Sequence, residues 1–319
     1  MTDAGRARSA HPVAPPEGFD TMSTSHVSAE IASQPQVWRE AARLAAESAA
    51  VLPQPGERVA IVGCGTSWFI AQAYAARREE LGQGVTDAFA GSEYPVDRDY
   101  DRVVAITRSG TTTEILHLLD VLGDRQRTLA IVGDPTSPGA RAADDVVVMP
   151  FADEQSVVQT RFATAALTLL RAGLGDDVEA LSAAAEDVVG WQVPEEVLAR
   201  TQFTFLGRGM AVGLANEAGL KMREASLAWA ESYPAMDYRH GPISISDETS
   251  AVFLLGPEVP GLVEDVSRTG ALVVRFDEDA QITLVRCQLL AVANAERKGL
   301  DPDAPRHLTR SIILADVAS

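Results

Sequence analysis

The sequence predicts an α/β fold built on parallel sheets, and three observations carry that prediction. Short apolar runs such as Val59-Ala60-Ile61-Val62, Val103-Val104-Ala105-Ile106 and Thr128 to Val132 show no polar alternation, as expected of strands buried on both faces. Segments of helical spacing separate these runs, the alternation that gives a parallel sheet covered by helices. The strand runs end in turns rich in Gly, Ser and Thr, where sheets of this kind bind ligands. At 319 residues the chain exceeds one typical domain of ~150 residues, so two are expected.

Residues 1–21 are rich in Pro, Gly, Ala and Ser without apolar periodicity, and read as a mobile tail or as an extension upstream of a start at Met22. From Ile31 the pattern is helical, with Trp38, Ala42, Leu44, Ala45 and Ala49 at spacings of three and four, until Pro53, Pro55 and Gly56 stop it. Val59 to Val62 is a strand, Gly63-Cys64-Gly65-Thr66-Ser67 a turn, and a helix follows through Ala76. Val103 to Ile106, the turn Thr107 to Thr112 and a helix from Glu114 to Leu122 repeat the cycle. Thr128 to Val132, then Gly133-Asp134 and a short helix, repeat it again, and Val146-Val147-Val148 is a fourth strand. Around Gly190-Trp191 the pattern restarts: strand Phe203 to Leu206, turn Gly207-Arg208-Gly209, and a long helix from about Val212 to Ser232. Strands at Ala251 to Leu255 and Leu272 to Phe276 complete it. The restart indicates two related halves.

Composition narrows the partners. A formal charge of −18 opposes nucleic acid and anionic membrane surfaces, which attract basic patches. A phosphate bound by such a chain is held locally, by backbone N–H groups and hydroxyls. Two cysteines, Cys64 and Cys287, are too few for a disulfide framework and suit a reducing compartment. With no apolar run near ~18 residues and no signal-peptide core at the N-terminus, a cytoplasmic protein is expected.

The turn Thr107-Arg108-Ser109-Gly110-Thr111-Thr112 combines hydroxyl donors with a glycine that admits close backbone approach. The helix after it aims free N–H groups and a positive dipole end at the same point, which suits a monophosphate. Ser and Thr also cap helices everywhere, so one such turn alone is ordinary capping. The second turn, Gly63 to Ser67, on the preceding recognised strand end strengthens the ligand reading. Neither the full dinucleotide fingerprint nor a P-loop lysine is present. Cys64, directly after a buried strand, reads as packing.

These two turns, together with Glu154-Gln155-Ser156-Val157-Val158-Gln159-Thr160-Arg161, Gly219-Leu220-Lys221-Met222-Arg223-Glu224, Arg239-His240-Gly241-Pro242 and Asp303 to Ser311, resemble the sugar isomerase (SIS) family. The pattern is similar to the isomerase half of glucosamine-6-phosphate synthase, the amino-sugar-6-phosphate deaminases and the fructosamine-phosphate deglycases. The resemblance implies two SIS domains, each a five-stranded parallel sheet flanked by helices, at residues 22–190 and 191–303, with a C-terminal active-site loop and tail at 304–319. It also implies a homodimer. By the same resemblance Ser67, Ser109 and Thr112 contact the sugar phosphate, with Thr107 and Arg108 beside it. Thr66, Val157, Gln159 and Arg310 complete the substrate contacts. Glu224 becomes the base at the sugar C2 carbon, Lys221 its support, and His240 the ring-opening residue reaching the partner's site. No cofactor or metal is called for.

Glu217, Lys221 and Glu224 share one helix face by spacing alone; on an anonymous helix that reads as a solvated salt-bridged stripe. The resemblance assigns Lys221 and Glu224 to chemistry instead. Ring opening needs proton transfer at O1 and O5, which a histidine near neutrality performs, and a carboxylate then removes the C2 proton. One departure bears on the reaction. Arg310 stands where the synthase has an imine-forming lysine, and an arginine stays protonated. The expectation is an enzyme acting on a phosphorylated amino sugar, glucosamine 6-phosphate or its N-acetylated form, by deamination, isomerisation or dehydration. The alternatives are a sugar-phosphate sensor and a fructosamine-6-phosphate deglycase.

Overall fold

The computed structural model of the chain describes residues 25–314, so the tail expected at 1–21 and the final residues 315–319 lie outside it. Two short helices open the fold, α1 (His26–Ala32) and α2 (Gln34–Glu47). The first sheet holds β1 (Val59–Gly63), β2 (Thr86–Ala90), β3 (Arg102–Thr107), β4 (Thr128–Val132) and β5 (Asp145–Val148). Its order is β2-β1-β3-β4-β5, parallel throughout. Its helices are α3 (Thr66–Glu80), α4 (Thr113–Leu122) and α5 (Pro138–Ala142). The helices α6 (Arg161–Gly173), α7 (Val178–Glu186) and α8 (Glu195–Leu198) lead to the second sheet. There β6 (Gln202–Gly207), β7 (Trp229–Pro234), β8 (Ser250–Leu255) and β9 (Leu272–Arg275) run parallel in the order β7-β6-β8-β9. Its helices are α9 (Ala211–Ser226), α10 (Leu262–Ser267) and α11 (Ala280–Arg297).

The period of two along each strand divides the apolar residues between cores. Val59 and Ile61 of β1 face a large central core with Trp38 of α2, Ile70 of α3 and Phe162 of α6, whereas Ala60 and Val62 face an outer core with Ile115 and Leu119 of α4. The second sheet follows the same rule. Phe203 and Phe205 join the central core, and Leu206 meets Leu262 and Val266 of α10 outside. The central core therefore belongs to both sheets. At its middle α3 crosses α9 so closely that a Cβ on Gly213 would lie 2.4 Å from the carbonyl oxygen of Phe69 and 2.6 Å from Ala73 N. No larger residue permits that approach, and it is what brings the start of α3 to the catalytic-candidate end of α9.

Three expectations change. The second sheet has four strands among the described residues instead of five, because after β9 the chain turns at Asp279, whose side chain caps α11, and enters that 18-residue helix. The helix expected from Val212 to Ser232 stops at Ser226: Leu227 takes a left-handed conformation (φ 51°), and the N–H groups of Leu227 and Ala228 both bond back to Met222 O. The residues beyond it form the edge strand β7. The first helical region likewise breaks into α1 and α2 and ends at Glu47, before the prolines.

Candidate active site

β1 and β3 are paired neighbours, and the strand order reverses between them, so their turns lie side by side at the switch point of the first sheet. Gly63 admits the tight return of the chain, since a Cβ there would lie 2.5 Å from the Ser67 carbonyl carbon. Gly110 is needed twice over: its φ is +62°, and a Cβ would meet Ser137 Oγ at 2.1 Å. The turn packs there onto α5, with Gly139 N donating to Gly110 O at 2.8 Å. Thr66, Ser67 and Thr107 are buried, and Ser109, Thr111 and Thr112 are half-buried. Ser109 Oγ accepts from Thr111 N (3.2 Å) and from Thr111 Oγ1 (3.0 Å), while Thr107 Oγ1 donates to Thr112 Oγ1 at 3.5 Å.

The resemblance sets Arg108 beside the phosphate; its side chain is committed to other segments of the chain. Its buried guanidinium donates to Glu154 Oε2 (3.3 Å), Ser156 O (3.0 Å), Val157 O (3.4 Å) and Arg310 O (3.0 Å). It ties the Glu154 segment and the C-terminal loop to the turn. Glu154 is fully buried; burial pushes its carboxyl up, against the pull of Arg108. It also accepts from Thr160 N (2.6 Å) and Arg161 N (2.8 Å), fixing the start of α6. Val157 thus reaches Arg108 through its carbonyl, and Gln159 keeps a buried Oε1 with no partner among the described residues.

The helix α9 carries the second group. Lys221 is buried, and its Nζ donates to Thr66 Oγ1 (3.0 Å) and Glu224 Oε2 (2.5 Å), with Glu217 Oε1 at 3.3 Å. Glu217 is fully buried and its Oε2 has no partner among the described residues. The spacing that reads as a solvated stripe is therefore an interior cluster. Burial pushes the Glu217 carboxyl up to about 7, opposed by Lys221 and reinforced by Glu224. Burial alone would lower Lys221, but the two carboxylates outweigh it and raise the ammonium, which stays charged. Glu224 is the most accessible of the three, with 19% of its side chain exposed. Thr66 joins the two groups: it opens α3 next to Ser67 of the first turn and touches Lys221 of the second half.

The C-terminal loop covers both groups. Asp303 accepts from His26 N (2.7 Å) and Val27 N (2.9 Å), anchoring the loop on α1. Leu300, Pro305 and Arg306 enclose a cavity of only 60 Å³ against Glu224. Farther on, Ser311 Oγ accepts from Ser109 Oγ (3.1 Å) and Thr111 Oγ1 (2.9 Å), and Ile312 O accepts from Thr113 N at 3.2 Å. A cavity of 450 Å³ remains beside them, walled by Thr309, Arg310 and Ile313. Arg310 is held by the Asp153 carboxylate and the Glu154 carbonyl. His240 stands apart: it is exposed, in the short 3₁₀ turn Asp237–His240, with no hydrogen bond to the cluster. Cys64 is half-buried, and burial raises its thiol, with Glu114 adding to the effect.

Glu217 and Ser311 are the site residues that the motif reading did not single out. Glu217 announces itself by the i,i+4 spacing to Lys221. Ser311 closes the Asp303 to Ser311 motif, in which the resemblance assigned a contact only to Arg310.

Residues 54–173 match the family model of the SIS domain. Beyond that span, the chain is similar to a glutamine–fructose-6-phosphate aminotransferase (isomerizing) of Methanothermobacter thermautotrophicus, 28% identical over 89% of this chain and 56% of the relative. The chain spans about half the length of the curated relatives it matches first, 56%, 50% and 52% of them. Among solved structures it is similar to a glucosamine-6-phosphate deaminase from Thermotoga maritima, with a TM-score of 0.74 and 27% identity over 91% of this chain and all of the other. The C-terminal domain of a glucosamine-fructose-6-phosphate aminotransferase from Francisella tularensis shares the fold, with a TM-score of 0.76 at 20% identity over 89% of this chain and 99% of that one. No helix among the described residues is long and apolar enough to cross a membrane.

Proposed function

We propose that the chain is an enzyme of phosphorylated amino sugars that converts glucosamine 6-phosphate to fructose 6-phosphate and ammonia. The observation that carries this reading is the buried Lys221 shared by Glu217 and Glu224 and joined through Thr66 to the hydroxyl turn. A phosphate held by Ser67, Ser109 and Thr112 places the remainder of an extended sugar toward the α9 cluster. His240, supplied by the partner in a homodimer, opens the ring by moving a proton between O5 and O1. Glu224 then removes the C2 proton, and Lys221 stabilises the negative charge that develops on the enolised sugar. Protonation at C1 gives a C2 imine, and water releases ammonia from it.

Catalysis requires the C-terminal loop to lift. Sugar-sized ligands occupy pockets of ~300–1,000 Å³, far above the 60 Å³ at Glu224. Ser311 also occupies the donors that a phosphate would use. Likeness to the Thermotoga maritima deaminase supports the free-amine substrate. Arg310 cannot form an imine with a ketose, and a second reading that likewise needs none has the N-acetylated substrate lose its 3-hydroxyl as water after the same C2 deprotonation.

Proton exchange in D2O tests the shared step. Glucosamine 6-phosphate is incubated with the enzyme while ammonia and deuterium incorporation at the sugar carbons are followed by NMR; N-acetylglucosamine 6-phosphate is run alongside. Ammonia with deuterated fructose 6-phosphate is expected from the first. A dehydrated product from the second alone selects the lyase reading. Binding of both sugars without exchange rejects the enzyme in favour of a sensor. Glu224→Gln is expected to remove exchange while retaining binding.

A further inference from the structure

The second sheet repeats the strand order of the first and so has its own switch point, between β6 and β8. A cavity of 780 Å³ opens there, bounded by residues 208–211 after β6, 256–258 after β8 and 275–280 from the end of β9 onward, with Arg77 and Glu80 of α3 opposite. Its size falls within the ~300–1,000 Å³ of small-molecule sites.

Its chemistry differs from that of the first switch point. No Ser or Thr lines it, and acidic side chains outnumber arginines five to three. The first amides of α9 are also taken, Ala211 N by Arg208 O (3.2 Å) and Val212 N by Gly209 O (3.1 Å). A phosphate finds no hydroxyl side chain here, and the first two amides of α9 are not offered to it.

Most of the charges are matched. Arg77 pairs with Asp176 and Glu80, Arg275 with Glu258, Arg286 with Glu278, and Arg171 with Asp279. Arg208 and Asp277 are left, both exposed, and neither has an ion-pair partner among the described residues, including each other. Apolar surface accompanies them in Met210, Pro257 and Phe276. The Phe276 ring is held by the Arg286 guanidinium 4.2 Å from its centroid and by Trp191 edge-on at 5.6 Å. Gly209, at φ +59°, leaves open space where a Cβ would stand.

One spare cation, one spare anion and an apolar wall around a cavity of this size complement a ligand with the same three parts. We propose that this cavity binds a small zwitterion of the α-amino-acid type, its carboxylate on Arg208, its ammonium on Asp277 and its side chain against Met210 and Phe276. This site is separate from the hydroxyl turn, and its occupancy does not depend on the reaction proposed there.

Saturation-transfer NMR on the full chain tests the proposal, with L-glutamine, L-lysine and L-leucine as probes. Acetate, methylammonium and inorganic phosphate serve as single-charge controls. Saturable binding is expected of at least one amino acid and of none of the controls at equal concentration. Charge-assisted contacts of this kind correspond to a loss of about tenfold or more when one is removed. Arg208→Gln and Asp277→Asn are each expected to weaken binding by that factor without changing the melting temperature, and Ser109→Ala to leave it unchanged. Binding of phosphate or acetate lost only in Arg208→Gln makes this a plain anion site and overturns the proposal. So does the failure of all three amino acids to bind, or binding indifferent to both variants.

Discussion

Replacing Glu217 with glutamine probes the buried cluster directly. The Glu217 carboxyl has an ordinary value of 4.5 and is pushed up to about 7 in the fold, by burial first and against the pull of Lys221. Between those two values the folded chain holds a proton that the unfolded chain has lost. That proton stabilises the fold fully below pH 4.5, and the contribution disappears as pH rises through 7. At 1.36 kcal/mol per pH unit, the interval amounts to about 3 kcal/mol, of which about 2–3 falls between pH 5 and pH 8. Urea unfolding of wild type and Glu217→Gln at those two pH values, followed by tryptophan fluorescence and circular dichroism together, isolates the effect. Other titrating groups contribute similarly to both proteins. Wild type is expected to lose about 2–3 kcal/mol more than the variant on going to pH 8. Equal losses, or a larger loss in the variant, would refute the electrostatic account of the cluster.

Lys221→Met leaves two carboxylates without their counter-ion, a loss of about 3–5 kcal/mol; urea unfolding should show part of it restored in Lys221→Met/Glu217→Gln. Gly213→Ala drives a methyl into the backbone of α3 and is expected to cost about 1–3 kcal/mol. Because the same crossing sets Thr66 against Lys221, that variant should also lose substrate-dependent proton exchange. Arg310→Lys cannot hold Asp153 and the Glu154 carbonyl together in the same way, and hydrogen exchange at residues 309–314 should quicken while exchange in β1 and β3 stays unchanged.

The central strands were legible because continuous apolar runs leave no other reading for them: Thr128–Val132 is found where the sequence places it. The edge strands β2 and β7 were not. Thr86-Asp87-Ala88-Phe89-Ala90 and Trp229 to Pro234 each pair on one side only and carry polar residues within the run, which erases the signature of a buried strand. Leu227 gave no warning of a helix end, since a leucine in a left-handed conformation is dictated by the surrounding fold and not by its own preference. In the site, spacing placed Glu217, Lys221 and Glu224 on one face, but only the crossing with α3 reveals that this face is internal. Arg108 shows the opposite limit. Its neighbours in sequence are the hydroxyl turn, and its partners in space are Glu154 and the loop carbonyls.

The contact between Thr66 and Lys221 also bears on how this chain can be divided. Each sheet has its own outer core, so a cut near residue 190 looks natural for producing two fragments. It would leave the first fragment with hydroxyls and no carboxylate cluster, and the second with a charged lysine and an unshielded apolar face on α9 where Gly213 met α3. The halves resemble each other in topology, yet as working parts they are not modules. Restoring the site from fragments would require the pair to reassemble, so co-purification of the two pieces would itself measure the strength of the α3–α9 crossing.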